Sequence, residues 1–83
     1  MKVRLLFFAS LKDIVGSREL PFEIAEGSAV RNLLDALEAE YPRLKDYRPV
    51  LLTALNEEYA SADSVIHDGD EVAIFPPVSG GAS

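Results

Sequence analysis

The chain closes on Phe75-Pro76-Pro77-Val78-Ser79-Gly80-Gly81-Ala82-Ser83, the stretch whose residue types and spacing best suit chemistry. Pro76 and Pro77 stop the strand before them, because proline has no backbone donor and a fixed φ. The pair directs the next residues along an extended, polyproline-like path. Gly80 and Gly81 then offer backbone without side chains, which a narrow slot admits. From Pro76 to Gly81 such a peptide reaches about 20 Å, at about 3.3 Å per extended residue. This is the pattern of a tail that leaves a folded body and enters another protein's active site. A terminus that merely frays has no use for two stiff prolines directly after a strand.

Other polar residues carry less. His67 is the only histidine and has no nucleophile or base beside it in sequence, so it reads as an exposed turn residue. Asp68-Gly69-Asp70 lacks the further oxygen ligands and closing Glu of a calcium loop, and reads as a tight turn. Glu57-Glu58 reads as a solvated hairpin tip. The chain has no cysteine, which excludes disulfides, thiolate catalysis and zinc thiolate sites. There is no P-loop, and no helix follows Gly80-Gly81 to make a dinucleotide fingerprint. No metal site and no bound cofactor are expected, and nothing in the chain binds ATP or activates a nucleophile unaided.

The 83 residues, 48% of them hydrophobic, suit one small domain with a single core. The net charge of −6 is unevenly placed. All eight Lys and Arg lie between Lys2 and Arg48, where eight acids balance them. Beyond Arg48 stand Glu57, Glu58, Asp63, Asp68, Asp70 and Glu71, with no base. Nucleic acid is therefore not an expected partner, since phosphate contact needs a basic face. A basic protein surface is. No apolar run approaches membrane-spanning length. Leu5-Leu6-Phe7-Phe8-Ala9 is too short for a leader and is soon followed by Lys12 and Asp13, so it reads as a buried strand of a cytosolic protein.

The tail needs a body to project from. Lys2–Phe8 predicts a strand, and its apolar run from Leu5 to Phe8 suggests a central one buried on both faces. Ser10 is placed to cap a short helical turn through Val15, ended by Gly16. Glu19–Ile24 alternates Leu20, Phe22 and Ile24 with other residues, and Pro21 puts this strand at an edge. Ser28 reads as the N-cap of the main helix. Val30, Leu33, Leu34, Leu37 and Tyr41 share one face of it, and Pro42 ends it. Arg31 stands where a capping box needs Glu or Gln, so none is expected. Arg43–Pro49 reads as a polar connection anchored by Tyr47 alone. Val50–Leu55 and Glu71–Phe75 read as strands, with a short segment around Tyr59 and a loop at Ser61–Ser64. The plan is α+β: a mixed sheet on one main helix, best matched by a β-grasp with the first and last strands adjacent at its centre. Residues 1–75 form the domain and 76–83 an extended, flexible tail. If Val72 and Ile74 point inward, Phe75 points outward.

Leu55-Asn56, the run from His67 to Phe75, and Pro76-Pro77-Val78-Ser79-Gly80-Gly81 together resemble the small subunits of molybdopterin synthase. These are sulfur carriers in the MoaD/ThiS group of ubiquitin-like proteins. The opening, Leu5–Ala9 then Leu11–Gly16, is similar as well. A final Gly-Gly is common to many such carriers, whereas the Asp-Gly-Asp-Glu-Val and Phe-Pro-Pro-Val-Ser-Gly-Gly runs are specific. The resemblance implies that an E1-like adenylyltransferase uses ATP to adenylate the Gly81 carboxylate. A sulfurtransferase donor then displaces AMP to leave a thiocarboxylate. The tail next enters the large subunit of the synthase, within a heterotetramer, and delivers sulfur to cyclic pyranopterin monophosphate. Gly81 is then the reacting residue. Phe75, Pro76, Pro77, Val78, Ser79 and Gly80 are the partner-binding residues, and the acids and bases belong to the large subunit. The chain is thus the sulfur-donating, non-catalytic part of a transferase, with no thiol of its own to carry sulfur. Ala82 and Ser83 follow Gly81, and a peptide bond there blocks adenylation, so their removal before activation is expected. The alternatives are a carrier for the thiazole of thiamine, which is usually shorter and lacks the Pro-Pro segment, and a modifier conjugated to lysines through Gly81.

Overall fold

Apolar residues at every second position of the strands meet the apolar stripe of one helix. The computed structural model describes residues 1–76. Its elements run β1 (Lys2–Phe7), α1 (Ser10–Val15), β2 (Glu19–Glu23), α2 (Val30–Glu40), two 3-10 turns at Pro42–Asp46 and Arg48–Val50, β3 (Leu52–Leu55), β4 (Glu58–Ala60) and β5 (Glu71–Phe75). The five strands form one sheet in the order β2-β1-β5-β3-β4. β1 and β5 run parallel at the centre, and the other pairs are antiparallel. A mixed sheet with one main helix on one face is a β-grasp. Pro21 sits in the edge strand β2 opposite Arg4, where its missing N–H costs no ladder bond.

Val3, Leu5 and Phe7 of β1 and Val72 and Ile74 of β5 pack against Val30, Leu33, Leu34 and Leu37 of α2. Leu11 closes one end of this core. Burying each such side chain contributes about 1.5–3 kcal/mol before the entropy cost of ordering it.

The structure corrects six local expectations. β1 is not buried on both faces: Leu6 is half-buried and Phe8 is 40% exposed, because α2 covers only one side of the sheet. Ser10 does not cap α1. Ala9, at φ 53°, takes the N-cap position, and the carbonyls of Phe8 and Ala9 accept from Leu11 and Lys12. Gly16, at φ 87°, ends α1 in the left-handed conformation that glycine adopts at no steric cost.

Ser28 does not cap α2 either; Ala29 holds that position. Carbonyls of Ser64 and Ala62 accept the N–H groups of Val30 and Arg31, so a neighbouring loop satisfies donors that a side chain usually serves. Asn32 then supplies half of a capping box, its Oδ1 accepting from the Ala29 N–H at 2.8 Å. The connection after α2 is not merely polar. Its first 3-10 turn buries Leu44 at 2% exposure. Val50 belongs to the second 3-10 turn, so β3 starts at Leu52. Ile66 also reaches the core, through an isolated bridge between Ala29 and Val65 that holds its segment against α2.

Candidate docking site and tail exit

The face of the sheet turned away from α2 is apolar at the end where β5 finishes. An antiparallel or mixed sheet left open on one side normally carries polar residues there. Here the register places Leu6 beside Ala73, Ala73 beside Ala54, and Ala54 beside Tyr59. Phe75 lies one row further along, paired with Leu52. Its neighbours in β5, Val72 and Ile74, are wholly buried on the other side, so Phe75 points outward as the alternation requires. Its ring stacks on that of Phe8, with centroids 4.8 Å apart and planes 18° from parallel. Tyr59, 79% exposed, leans toward Phe75 at 6.4 Å. These side chains surround a shallow depression of about 310 Å3.

Phe75 was legible in the sequence; Phe8 and Tyr59 were not assigned to this face. The signal for Phe8 was its spacing of two from Leu6, which the uniform apolar run concealed. Tyr59 depended on the register of β4, which its three residues do not specify alone. β5 ends at Phe75 and delivers Pro76 at the rim of the apolar face. Pro77, Val78, Ser79, Gly80 and Gly81, with Ala82 and Ser83, lie outside the described residues.

At the opposite end of β5, polar groups hold the strand in place. The β3–β4 turn runs through Asn56 and Glu57, at φ 50° and 73°. Two left-handed residues suit a tight hairpin, and asparagine tolerates that region well. The Asn56 N–H donates to the Glu71 carbonyl at 2.8 Å, and its Oδ1 accepts from the Glu71 N–H at 3.0 Å. Asn56 Nδ2 donates to Asp70 Oδ1 at 3.0 Å, and the His67 N–H donates to Asp70 Oδ2 at 2.8 Å. Gly69, at φ 86°, makes the adjoining turn, and its N–H donates to the Lys2 carbonyl. Asp68-Gly69-Asp70 is thus a turn whose carboxylates bind backbone and side-chain donors. Asp68 Oδ1 accepts from the Lys2 N–H at 2.8 Å.

Partial burial pushes the Asp70 carboxyl up. Hydrogen bonds from Asn56 and the His67 backbone, with the charge of the His67 imidazole, outweigh it and hold the carboxyl below its ordinary value. Folding therefore favours the ionised form. Its stabilisation is complete above the ordinary carboxylate range and is lost as pH falls through the lowered value. Asp70→Asn is expected to destabilise the fold at pH 7 by about 1.5–3 kcal/mol, the range for hydrogen bonds to a charged group. The variant should also lose less stability than the parent on acidification below about pH 4. Thermal melts across that range check both, and parallel pH profiles would count against the clasp.

Two of the late acids are matched by early bases. Arg4 pairs with Glu71 and, at 3.3 Å, with Glu19; Arg31 pairs with Asp63. The hydrogen bond to Glu71, then the charges of Glu19 and Glu71, raise the Arg4 pKa against the effect of burial. Arg48 binds Asp35 and Glu38 at 2.8 and 2.7 Å, tying the second 3-10 turn to α2. Glu57 and Glu58 make no ion pair among the described residues, and Glu57 borders the apolar depression. No cluster of three or more metal-ligating side chains occurs among the described residues. None of their helices is long and apolar enough to cross a membrane. The arrangement offers an apolar docking surface and a tail exit.

Comparison with known proteins agrees with this geometry. The ThiS family model matches residues 5–81. The molybdopterin synthase sulfur carrier subunit of Mycobacterium tuberculosis is 38% identical, over 98% of this chain and 99% of its own. The crystal structure of SAMP1 from Haloferax volcanii, a small archaeal modifier protein, superposes with a TM-score of 0.84 at 31% identity, over 98% of this chain and all of that one. A chain from the complex of subunits 1 and 2 of the molybdopterin-converting factor of Helicobacter pylori 26695 superposes at 0.68 with 27% identity, over 98% and 100%. The match spans nearly the whole sequence, and the same β-grasp recurs in sulfur carriers and ubiquitin-like modifiers, so this chain belongs to the ThiS family.

Proposed function

We propose that this chain is the sulfur-carrier subunit of a molybdopterin synthase and that Gly81 carries the sulfur. Residues 1–75 serve as the body and 76–83 as the tail. An E1-like adenylyltransferase joins the Gly81 carboxylate to AMP, releasing pyrophosphate from ATP. A carboxylate is a poor acyl donor, and the adenylate is a good one. A sulfur nucleophile from a sulfurtransferase then displaces AMP and leaves a thiocarboxylate. Inside the large subunit the sulfur attacks a side-chain carbon of cyclic pyranopterin monophosphate, and the oxygen bound to that carbon leaves. Hydrolysis of the resulting acyl–sulfur bond leaves sulfur on the pterin and returns the carboxylate. Two such rounds supply a dithiolene. The chain itself binds no cofactor, and the proton-transfer groups belong to its partners.

One observation supports this reading most. The central strand β5 carries Phe75 onto the open apolar face and leads directly into Pro76. In this reading, docking of the body fixes the point at which the tail leaves it. The family match and the complex of subunits 1 and 2 found for the Helicobacter pylori relative favour a large-subunit partner, and the proposal takes the two to assemble as a heterotetramer.

The test compares two polypeptides, one ending at Gly81 and one at Ser83, each with ATP, the E1-like enzyme and the sulfur donor of the same host. The first is expected to support ATP–pyrophosphate exchange and to gain the mass of sulfur replacing oxygen. The second is expected to do neither, because its Gly81 carboxyl is an amide. Equal exchange by both would contradict the assignment of Gly81. The likeness to SAMP1 favours one alternative, conjugation through Gly81 to lysines of target proteins. Target proteins carrying the mass of this chain, with no sulfur gained at Gly81, would establish that reading instead.

A further inference from the structure

We propose that the groove between α2 and the free edge of β4 receives an extended, apolar and basic segment of the protein that delivers sulfur, while the adenylating enzyme holds the open face and the tail. The proposal deepens the sulfur-carrier reading and rests on it.

β4 is the edge of the sheet, and beside it the layer between sheet and helix stays open. Val30 and Leu34 of α2, Thr53 of β3 and Ala60 of β4 line a groove of about 400 Å3, bordered by Arg48 and Ala62. Arg48 is fixed there by Asp35 and Glu38, and its Nη2 donates to the Arg31 carbonyl at 3.3 Å. Thr53, only 5% exposed, is the one buried polar residue among those described. Its hydroxyl makes no hydrogen bond among the described residues. No side-chain oxygen or nitrogen sealed from solvent lacks a partner among those residues, so this hydroxyl is reached from the groove. A buried hydroxyl without a protein partner costs stability, and a ligand that supplies the partner removes that cost.

The surroundings define the occupant. One hydroxyl on an apolar floor is too little to orient a metabolite. The outer side of β4 has no strand beside it, so its backbone groups can pair with an extended chain, and the apolar floor suits that chain's side chains. Two cations, Arg31 and Arg48, stand at the groove against four carboxylates, Asp35, Glu38, Glu58 and Asp63, which favours a segment carrying Lys or Arg. Position narrows the choice further. Thr53 pairs with Ile74 and Ala60 on the α2 side of the sheet, so the groove stays uncovered when the open face is docked. Leu52, at its border, pairs with Phe75. A protein held in the groove is therefore near the root of the tail, which spans about 20 Å from Pro76 to Gly81. In the sulfur-carrier reading, displacement of AMP by sulfur is the step that brings two proteins to this chain at once.

The test uses the chain ending at Gly81 with ATP, the E1-like enzyme and the sulfur donor of the same host, and follows the gain of sulfur by mass as the donor concentration varies. Ala62→Arg puts a long cation at the groove, and Thr53→Val removes the hydroxyl at nearly equal volume. Ala62→Arg is expected to raise the KM for the donor about tenfold, with kcat and ATP–pyrophosphate exchange unchanged. Thr53→Val is expected to raise it about threefold and to melt at or above the temperature of the parent. An unchanged donor KM in both variants would remove the groove while the carrier reading stands. Slower exchange in Ala62→Arg would assign the groove to the E1-like enzyme, and a parent dimer that Ala62→Arg splits in sedimentation would assign it to a second copy; either result overturns the proposal. No sulfur gained by the parent would overturn the carrier reading and the groove together. Ala62 is exposed and Thr53→Val keeps the side-chain shape, so both variants are expected to fold, and should one fail the other decides.

Discussion

A polypeptide ending at Gly81 and carrying Gly80→Ala or Gly81→Ala is expected to lose at least about 100-fold in sulfur transfer, with an unchanged melting temperature. The reacting atom is a terminal carboxyl that must reach a site built by another protein. Its position relative to the nucleotide, and later to the pterin, sets the rate. A displacement of about 1 Å is enough to cost about 100-fold in a reaction that depends on alignment. A methyl group on either glycine widens the peptide where the slot is narrowest and narrows its backbone choices. β5 ends at Phe75, five residues before the first of these glycines. Stability should therefore be indifferent to both changes. Single-turnover transfer from the thiocarboxylate to the precursor, measured beside adenylation, separates the two partner sites. Normal rates in both steps with either variant would show that the slot tolerates a side chain, and the narrow-slot argument would fail.

Phe75→Ala is expected to weaken binding to the large subunit by about 1–3 kcal/mol, roughly five- to 150-fold, while costing the isolated chain little stability. The structure separates the two effects. Phe75 is not among the described residues of the core cluster, and its half-buried ring lies against those of Phe8 and Tyr59 on the open face. The stack with Phe8 is worth about 0.5–1.5 kcal/mol, which bounds the loss of stability from that contact. Its neighbour Ile74 is wholly buried, and Ile74→Ala should cost about 2–5 kcal/mol of stability. The adjacent pair is thus an internal control: one residue reports on docking and the other on folding. A large fall in the melt of Phe75→Ala, with normal affinity in the folded fraction, would refute the docking role.

Much of this molecule was readable before folding, because its signals are local. The stripe Val30, Leu33, Leu34, Leu37 has a helical period that only a helix can present to one surface. Gly16 and Gly69 stand where the chain turns through left-handed φ, a conformation glycine supplies cheaply. The alternation Val72, Ala73, Ile74, Phe75 sends Phe75 away from the core once the strand is recognised. The Pro-Pro and Gly-Gly pairs carry their meaning in their own backbone chemistry.

What only the tertiary structure decided involves partners distant in sequence. Ser10 and Ser28 have the right chemistry for caps, yet Phe8, Ala9, Ala62 and Ser64 supply the acceptors. A backbone carbonyl brought in by the fold satisfies an N–H as well as a side chain does. Leu44 and Ile66 sit among polar residues and join the core because other elements close over them. Phe8 looked buried because apolar composition cannot tell a covered face from an uncovered one. The parallel pairing of β1 with β5 brings Phe8 against Phe75, and the hairpin to β4 adds Tyr59. A side chain's period assigns it to a face, but only the packing of the other elements determines whether that face is covered.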